Sequence, residues 1–119
     1  EDPEGINDAS TDGRNFAVSG GVAQAVVNVI RGRFPDREIK VERAEGLREC
    51  GKLLKAAAAG KYKGYLLEGM ACPGGCVGGA GTLQPIQKSQ RAVNRYAEQA
   101  GHRTSNETEH VKELNKLVE

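Results

Sequence analysis

Two cysteines stand four residues apart in Cys72-Pro73-Gly74-Gly75-Cys76, at the centre of the glycine-rich run Leu66–Gly81, LLEGMACPGGCVGGAG. Thiolates are nucleophiles and soft metal ligands, so the pair raises three kinds of chemistry. Dithiol redox chemistry of the thioredoxin type uses a C-x2-C spacing at a helix start, which this is not. Structural zinc needs a second ligand pair. None is apparent, because Cys50 lies alone on an apolar helical stripe and His102 and His110 sit in polar C-terminal sequence. Iron–sulfur ligation suits the loop better. Cluster sulfides need hydrogen-bond donors close by, and Gly74, Gly75, Gly78 and Gly79 let the chain wrap tightly with positive φ and present successive N–H groups as a nest. A flexible glycine loop with two incidental thiols is the plain alternative, since C-x3-C alone is weak as a motif.

The number of ligands bounds the iron–sulfur reading. A cubane [4Fe–4S] cluster takes about four protein ligands, and this loop offers Cys72 and Cys76. Cys50 has leucines at helical spacing and reads as a core residue. The chain therefore carries half of such a site.

The elements that position this loop follow from periodicity. Asn15–Ser19, NFAVS, is a short apolar run that predicts a buried strand, and Gly20-Gly21 then opens a helix with Val22, Val26, Val29 and Ile30 on one face and Ser19 as its N-cap. Ile39 and Val41 alternate with Lys40 and Glu42 as a strand with one wet face. Leu47, Cys50, Leu54 and Ala57 form the core stripe of a helix stopped by Gly60 at C′. The lysine-rich Gly60–Tyr65 reads as a solvated turn, with a charged docking patch as the minor alternative, and KGYLLEGM is a third strand leading into the cysteines. Pro85 opens a helix through Ile86, Val93, Tyr96, Ala97 and Ala100. Asn106 and Glu109 resemble a capping box for a last amphipathic segment through Val111, Leu114 and Val118.

Alternating strands and helices predict an α/β fold: a small, mostly parallel sheet of three to four strands flanked by helices, with a βαβαβ core followed by two C-terminal helices. Residues 1–14 read as a loop or disordered lead and residues 15–119 as a single α/β domain. Ligand chemistry gathers at the carboxyl ends of parallel strands, so SGG and ACPGGCVGG should lie on one edge of the sheet.

Bulk composition narrows the partners. With 17 basic and 16 acidic residues the net charge is +1, which offers no global field for nucleic acid or an anionic membrane. No apolar run reaches the ~18 residues of a membrane span. The first ten residues, EDPEGINDAS, are acidic and polar, the reverse of a signal peptide, and read as a cut inside a longer protein or a short disordered lead. Three cysteines do not make a disulfide framework, so a reduced, cytoplasmic setting is expected.

The segment Glu68-Gly-Met70-Ala-Cys72-Pro-Gly-Gly75-Cys76-Val-Gly-Gly79 resembles the last of three signature motifs of the iron-only ([FeFe]) hydrogenases, E-x-M-x-C-x-x-G-C-x-x-G, at every specified position. Asn15–Val22, NFAVSGGV, is similar to the family's F-G-x-T-G-G-V turn, and RTSNETEHVKEL is loosely similar to its C-terminal helix. The resemblance spans most of the chain after residue ~14 and implies an active site in which a [4Fe–4S] cubane shares one cysteine sulfur with a two-iron unit carrying CO, cyanide and a bridging dithiolate. By position, it implies that Cys72 and Cys76 ligate the cubane and that Cys76 also bridges to the two-iron unit. Met70 and Phe16 then wall the reacting centre, Ala17 and Gly75 line the cofactor, and Glu68 is scaffold for the loop. The implied partners are the remainder of a hydrogenase chain and a ferredoxin-like electron carrier, and the chain alone is expected to be apo and inactive.

The sequence also departs from the family pattern. The motifs containing T-S-C-C-P and M-P-C are absent here, Ala17 stands for a glycine, Ser19 for a threonine, and GGAGTLQP lengthens the usual G-G-G-Q-P. Such variations are similar to those of divergent, sensory branches. Two other readings therefore stand beside the hydrogenase one: an iron–sulfur sensor or assembly factor without turnover, and a small α/β binding domain whose thiols are incidental.

Overall fold

The computed structural model of the chain describes residues 8–118. It is an α/β fold with the order α1 (Thr11–Arg14), α2 (Gly21–Arg33), β1 (Lys40–Glu45), α3 (Leu47–Ala58), β2 (Tyr65–Met70), α4 (Ile86–Glu98) and α5 (Glu109–Val118). The sheet among the described residues has two strands, fewer than expected. β1 and β2 are parallel, in register from Lys40 opposite Tyr65 to Glu45 opposite Met70, so both strands end level. Parallel neighbours need a long crossover, and α3 supplies it.

The expected first strand is not one. Asn15–Ala17 is a 3-10 turn, held by Val18 N–H to Asn15 O at 3.0 Å and followed by Gly21 N–H to Val18 O at 2.9 Å. A five-residue apolar run carries no periodicity that separates a strand from a turn, and tertiary contacts decided it. The loop from β2 takes up this segment's backbone, as described below. The βαβαβ core is therefore a single βαβ unit with helices packed around it. Residues 8–14, expected as loop, include the helical turn α1, capped by the Ser10 hydroxyl on Gly13 N–H (3.1 Å). Thr11 and Asp12 N–H groups bond to His102 and Arg103 carbonyls, and Asp12 accepts from Asn28 on α2. Residues 1–7 lie outside the described residues.

α3 ends as expected. Gly60 adopts φ +89°, Lys61 N–H reaches Ala56 O and Gly60 N–H reaches Ala57 O, the paired closure of a Schellman motif. Its apolar stripe is turned from the expected one. Leu47 and Leu54 are 78% and 64% exposed, while Leu53 is buried. The helix meets the sheet with Cys50, Leu53 and Ala57, a face rotated by roughly half a residue position. In α2, likewise, Ala23, Ala25 and Val27 are the buried residues, and Val26 on the expected face is exposed. With Val77 and Ala97 these complete the buried apolar set among the described residues, a core of small side chains.

The capping box falls elsewhere than expected. Glu107, not Glu109, turns back to accept from Arg103 N–H (2.9 Å) and the Thr104 hydroxyl (3.0 Å), and Asn106 lies inside a 3-10 turn, Ser105–Glu107. In the polar C-terminal sequence His110 is exposed and His102 half-buried; their Nε2 atoms lie 3.7 and 3.3 Å from the Asp8 carboxylate.

Candidate functional site

The level ends of β1 and β2 present Glu45 and Met70 on one edge of the sheet, and the chain leaves Met70 directly into the cysteine loop. Gly74 and Gly75 take φ +81° and +93°, which lets the loop reverse, and Cys76–Gly78 closes it as a 3-10 turn. Gly75 N–H bonds back to Cys72 O at 3.0 Å, spanning the two thiols. Cys72 is half-buried, Cys76 is exposed, and both are free thiols. A Cβ on Gly79 would stand 3.4 Å from Cys72 Sγ, so the glycine leaves that sulfur room.

The two glycine turns do meet, though one of them does not follow a strand. Ser19 N–H donates to Gly74 O at 3.0 Å, and a Cβ on Gly75 would sit 2.6 Å from both Ala17 O and Ser19 N. Only glycine fits between these backbones. From the other side Ile86 of α4 backs the loop, within 2.6 Å of where a Gly74 Cβ would be.

Glu68 holds the partner turn rather than the cysteine loop itself. Gly20, at φ +90°, is the N-cap of α2 and has no side chain to cap with. The Glu68 carboxylate, buried on β2, takes that role: Oε2 accepts from Gly20 N–H at 2.6 Å and Oε1 from Ala23 N–H at 2.8 Å. An anion at a helix N-terminus is favoured by the unpaired N–H groups and the dipole. Ser19 is not the cap expected of it.

Of the remaining expected residues, Met70 lines a hollow of about 220 Å³ with Val22, Val26, Leu66 and Leu67. Phe16 is 48% exposed and lies outside that hollow, and Ala17 contributes its carbonyl beneath Gly75. The structure thus joins Ala17 and Gly75, and sets Phe16 outside the hollow that Met70 lines. Cys50 sits at the strand ends, where its Sγ lies 3.5 and 3.6 Å from the Ala44 and Met70 carbonyls.

The expected nest of free amides is taken up within the protein. Gly75, Gly78 and Gly79 N–H groups bond to loop carbonyls, and Gly74 N–H donates to Glu45 Oε2 at 2.9 Å. The Ser19 hydroxyl and Gly74 N–H, with a smaller contribution from Arg43, hold the Glu45 carboxyl below the usual carboxylate range. Sequence reading missed Glu45, because the strand pattern ends before it and it reads as the lead into a helix; only the parallel register brings it to the loop. Among the described residues, no three or more His, Cys, Asp or Glu side chains are grouped to hold a metal ion. The donor set here is two thiols, which fits a thiophilic iron site as a partial ligand set.

Comparison with known proteins gives the chain a family. Residues 1–80 match the model of the family described as iron only hydrogenase large subunit, C-terminal domain. The chain is also 38% identical to the NADP-reducing hydrogenase subunit HndD of Solidesulfovibrio fructosivorans, in a match covering 79% of this chain and 16% of that relative's length. Both motif turns pack on each other, and the family match ends one residue past Gly79. The chain belongs to the family formed by the C-terminal domain of iron-only hydrogenase large subunits.

Proposed function

We propose that this chain contributes Cys72 and Cys76 as two of the protein ligands of an active-site [4Fe–4S] cubane, with Cys76 bridging to a two-iron unit, in a hydrogenase that interconverts protons and dihydrogen. The observation that carries the reading is the seating of Gly74-Gly75 on Ala17–Ser19, which joins the two motif turns and fixes a pair of free thiols beside them. When bound, the iron centre would pass electrons to and from the carrier and supply the site of hydrogen chemistry.

The chain's own residues hold and shield. Cys72 and Cys76 bind iron as thiolates, so metal loading releases their protons. Cys76, the exposed thiol, faces outward for a centre whose other ligands come from the remainder of the hydrogenase. Met70, set among Val22 and Val26, would offer the centre an apolar wall, and Phe16 and Ala17 would wall it from the other turn. Residues 15–119 act as one α/β unit of that larger active-site domain, with a ferredoxin-like protein as electron carrier.

Cys72→Ser and Cys76→Ser in the parent hydrogenase test this. Each should lower iron content and abolish hydrogen evolution; retention of both iron and activity in the double variant leaves the thiols incidental. The 119-residue chain alone should form no stable cluster with iron and sulfide, and a stable four-iron cluster on its monomer would overturn the ligand count.

A further inference from the structure

Glu45 lies outside both motif turns, yet it touches each of them. It is the last residue of β1, opposite Met70, and Gly46 N–H donates to Met70 O at 2.8 Å just beyond. From this edge its carboxylate accepts from Gly74 N–H at 2.9 Å and from the Ser19 hydroxyl. Gly74 is the midpoint of the spacer between the two cysteines. Its carbonyl is bound as well, by Ser19 N–H at 3.0 Å and Gln90 Nε2 at 3.4 Å. Both polar groups of one left-handed glycine are therefore held, one of them by a carboxylate.

Fixing that N–H fixes the plane of the Pro73–Gly74 peptide. Pro73 has a locked φ, so the direction in which Cys72 enters the turn follows from the same plane. The route from Gly74 to Cys76 passes only through Gly75, whose position is set by Ala17 and Ser19. A hydrogen bond to an ionised acceptor is about twice as strong as a neutral one. We propose that Glu45 is a positioning residue for the metal ligands, its carboxylate setting the direction of Cys72 and Cys76 by pinning the peptide between them. The proposal rests on the ligand assignment above for its consequence and on the apo geometry for its substance.

The test uses the full-length parent hydrogenase with Glu45→Ala, Glu45→Asp and Glu45→Gln, and Cys72→Ser as control. The first readout, on the metal-free protein, is the alkylation rate of Cys72 by mass spectrometry. Alanine has no acceptor and aspartate is one methylene too short, so both should label Cys72 about tenfold faster, as expected for losing one charge-assisted hydrogen bond that keeps the loop closed. Glutamine keeps an accepting oxygen but not the charge, so it should label only about threefold faster than wild type. The second readout, after reconstitution, is iron content and the g values of the reduced cluster, which should change in the alanine and aspartate variants and return in glutamine. Wild-type labelling and unchanged g values in Glu45→Asp overturn the proposal, even where Glu45→Ala fails to fold. Labelling in Glu45→Gln as fast as in Glu45→Asp also overturns it. If Cys72→Ser keeps full iron and an unchanged signal, the ligand assignment fails instead, and the alkylation rates still decide the role of Glu45.

Discussion

Glu68→Ala removes the side chain that caps α2, and the cost follows from the geometry. Two N–H groups, of Gly20 and Ala23, lose an acceptor at 2.6 and 2.8 Å, and the site is buried, with Glu68 only 7% exposed. Each hydrogen bond to a charged group contributes about 1.5–3 kcal/mol, and buried donors left unpaired lose their hydration too. The dipole interaction adds ~0.3–1 kcal/mol. Water entering the vacated space recovers part of this, so the net loss should be about 3 kcal/mol. For 119 residues, an unfolding entropy of ~2.1 cal/mol/K per residue makes that a fall in Tm of about 12 °C. Glu68→Gln keeps the volume and one accepting oxygen but turns an NH2 toward the second donor, so it should lose about half as much. Urea unfolding gives the free energies. Amide exchange gives the location: Gly20 and Ala23 should lose protection more than Val27, which lies about one turn further along α2. A loss below about 1 kcal/mol in Glu68→Ala, or uniform loss of protection along α2, would refute the capping argument.

Other perturbations separate neighbouring residues that sequence alone treats alike. Gly75→Ala forces a Cβ between Ala17 O and Ser19 N at φ +93°, whereas Gly46→Ala at φ +82° meets open space; the first should cost at least ~2 kcal/mol more in urea unfolding, and equal costs would mean the turns are not in contact. Leu53→Ala should lose about 2–3 kcal/mol and Leu54→Ala less than ~0.5 kcal/mol, reversing the expected ranking along the α3 stripe; a larger loss at Leu54 in the isolated chain would contradict the observed rotation. The Arg103 N–H and the Thr104 hydroxyl hold the Glu107 carboxyl below its ordinary value of 4.5. Because the folded value is the lower one, the stabilisation is fully present above pH 4.5 and is lost only as pH falls through the depressed value. Carbon-detected NMR should give a Glu107 midpoint below 4.5, and one at or above it would show that the turn does not bind the carboxylate.

Much of the site was legible in the chain because its chemistry is local. Thiols at Cys72 and Cys76, glycines that permit the loop's positive φ, the Gly60 helix stop and the alternation around Val41 each depend on a few adjacent residues. The α/β class followed from the order of such segments. What depends on rotation and register did not follow. A helix carrying leucines at 47, 53 and 54 can bury either side of its apolar arc, and packing against the two strands selected Cys50, Leu53 and Ala57. The run Asn15–Ser19 became a turn because the cysteine loop claimed its backbone, a contact across more than fifty residues. Glu45 and Glu68 show the same division. Sequence by itself determined that acids stand at positions 45 and 68, but only the tertiary structure decided that the first ends a strand and pins a glycine N–H and the second caps a helix, because a carboxylate's partners are set by the strands that carry it and not by its neighbours in the chain.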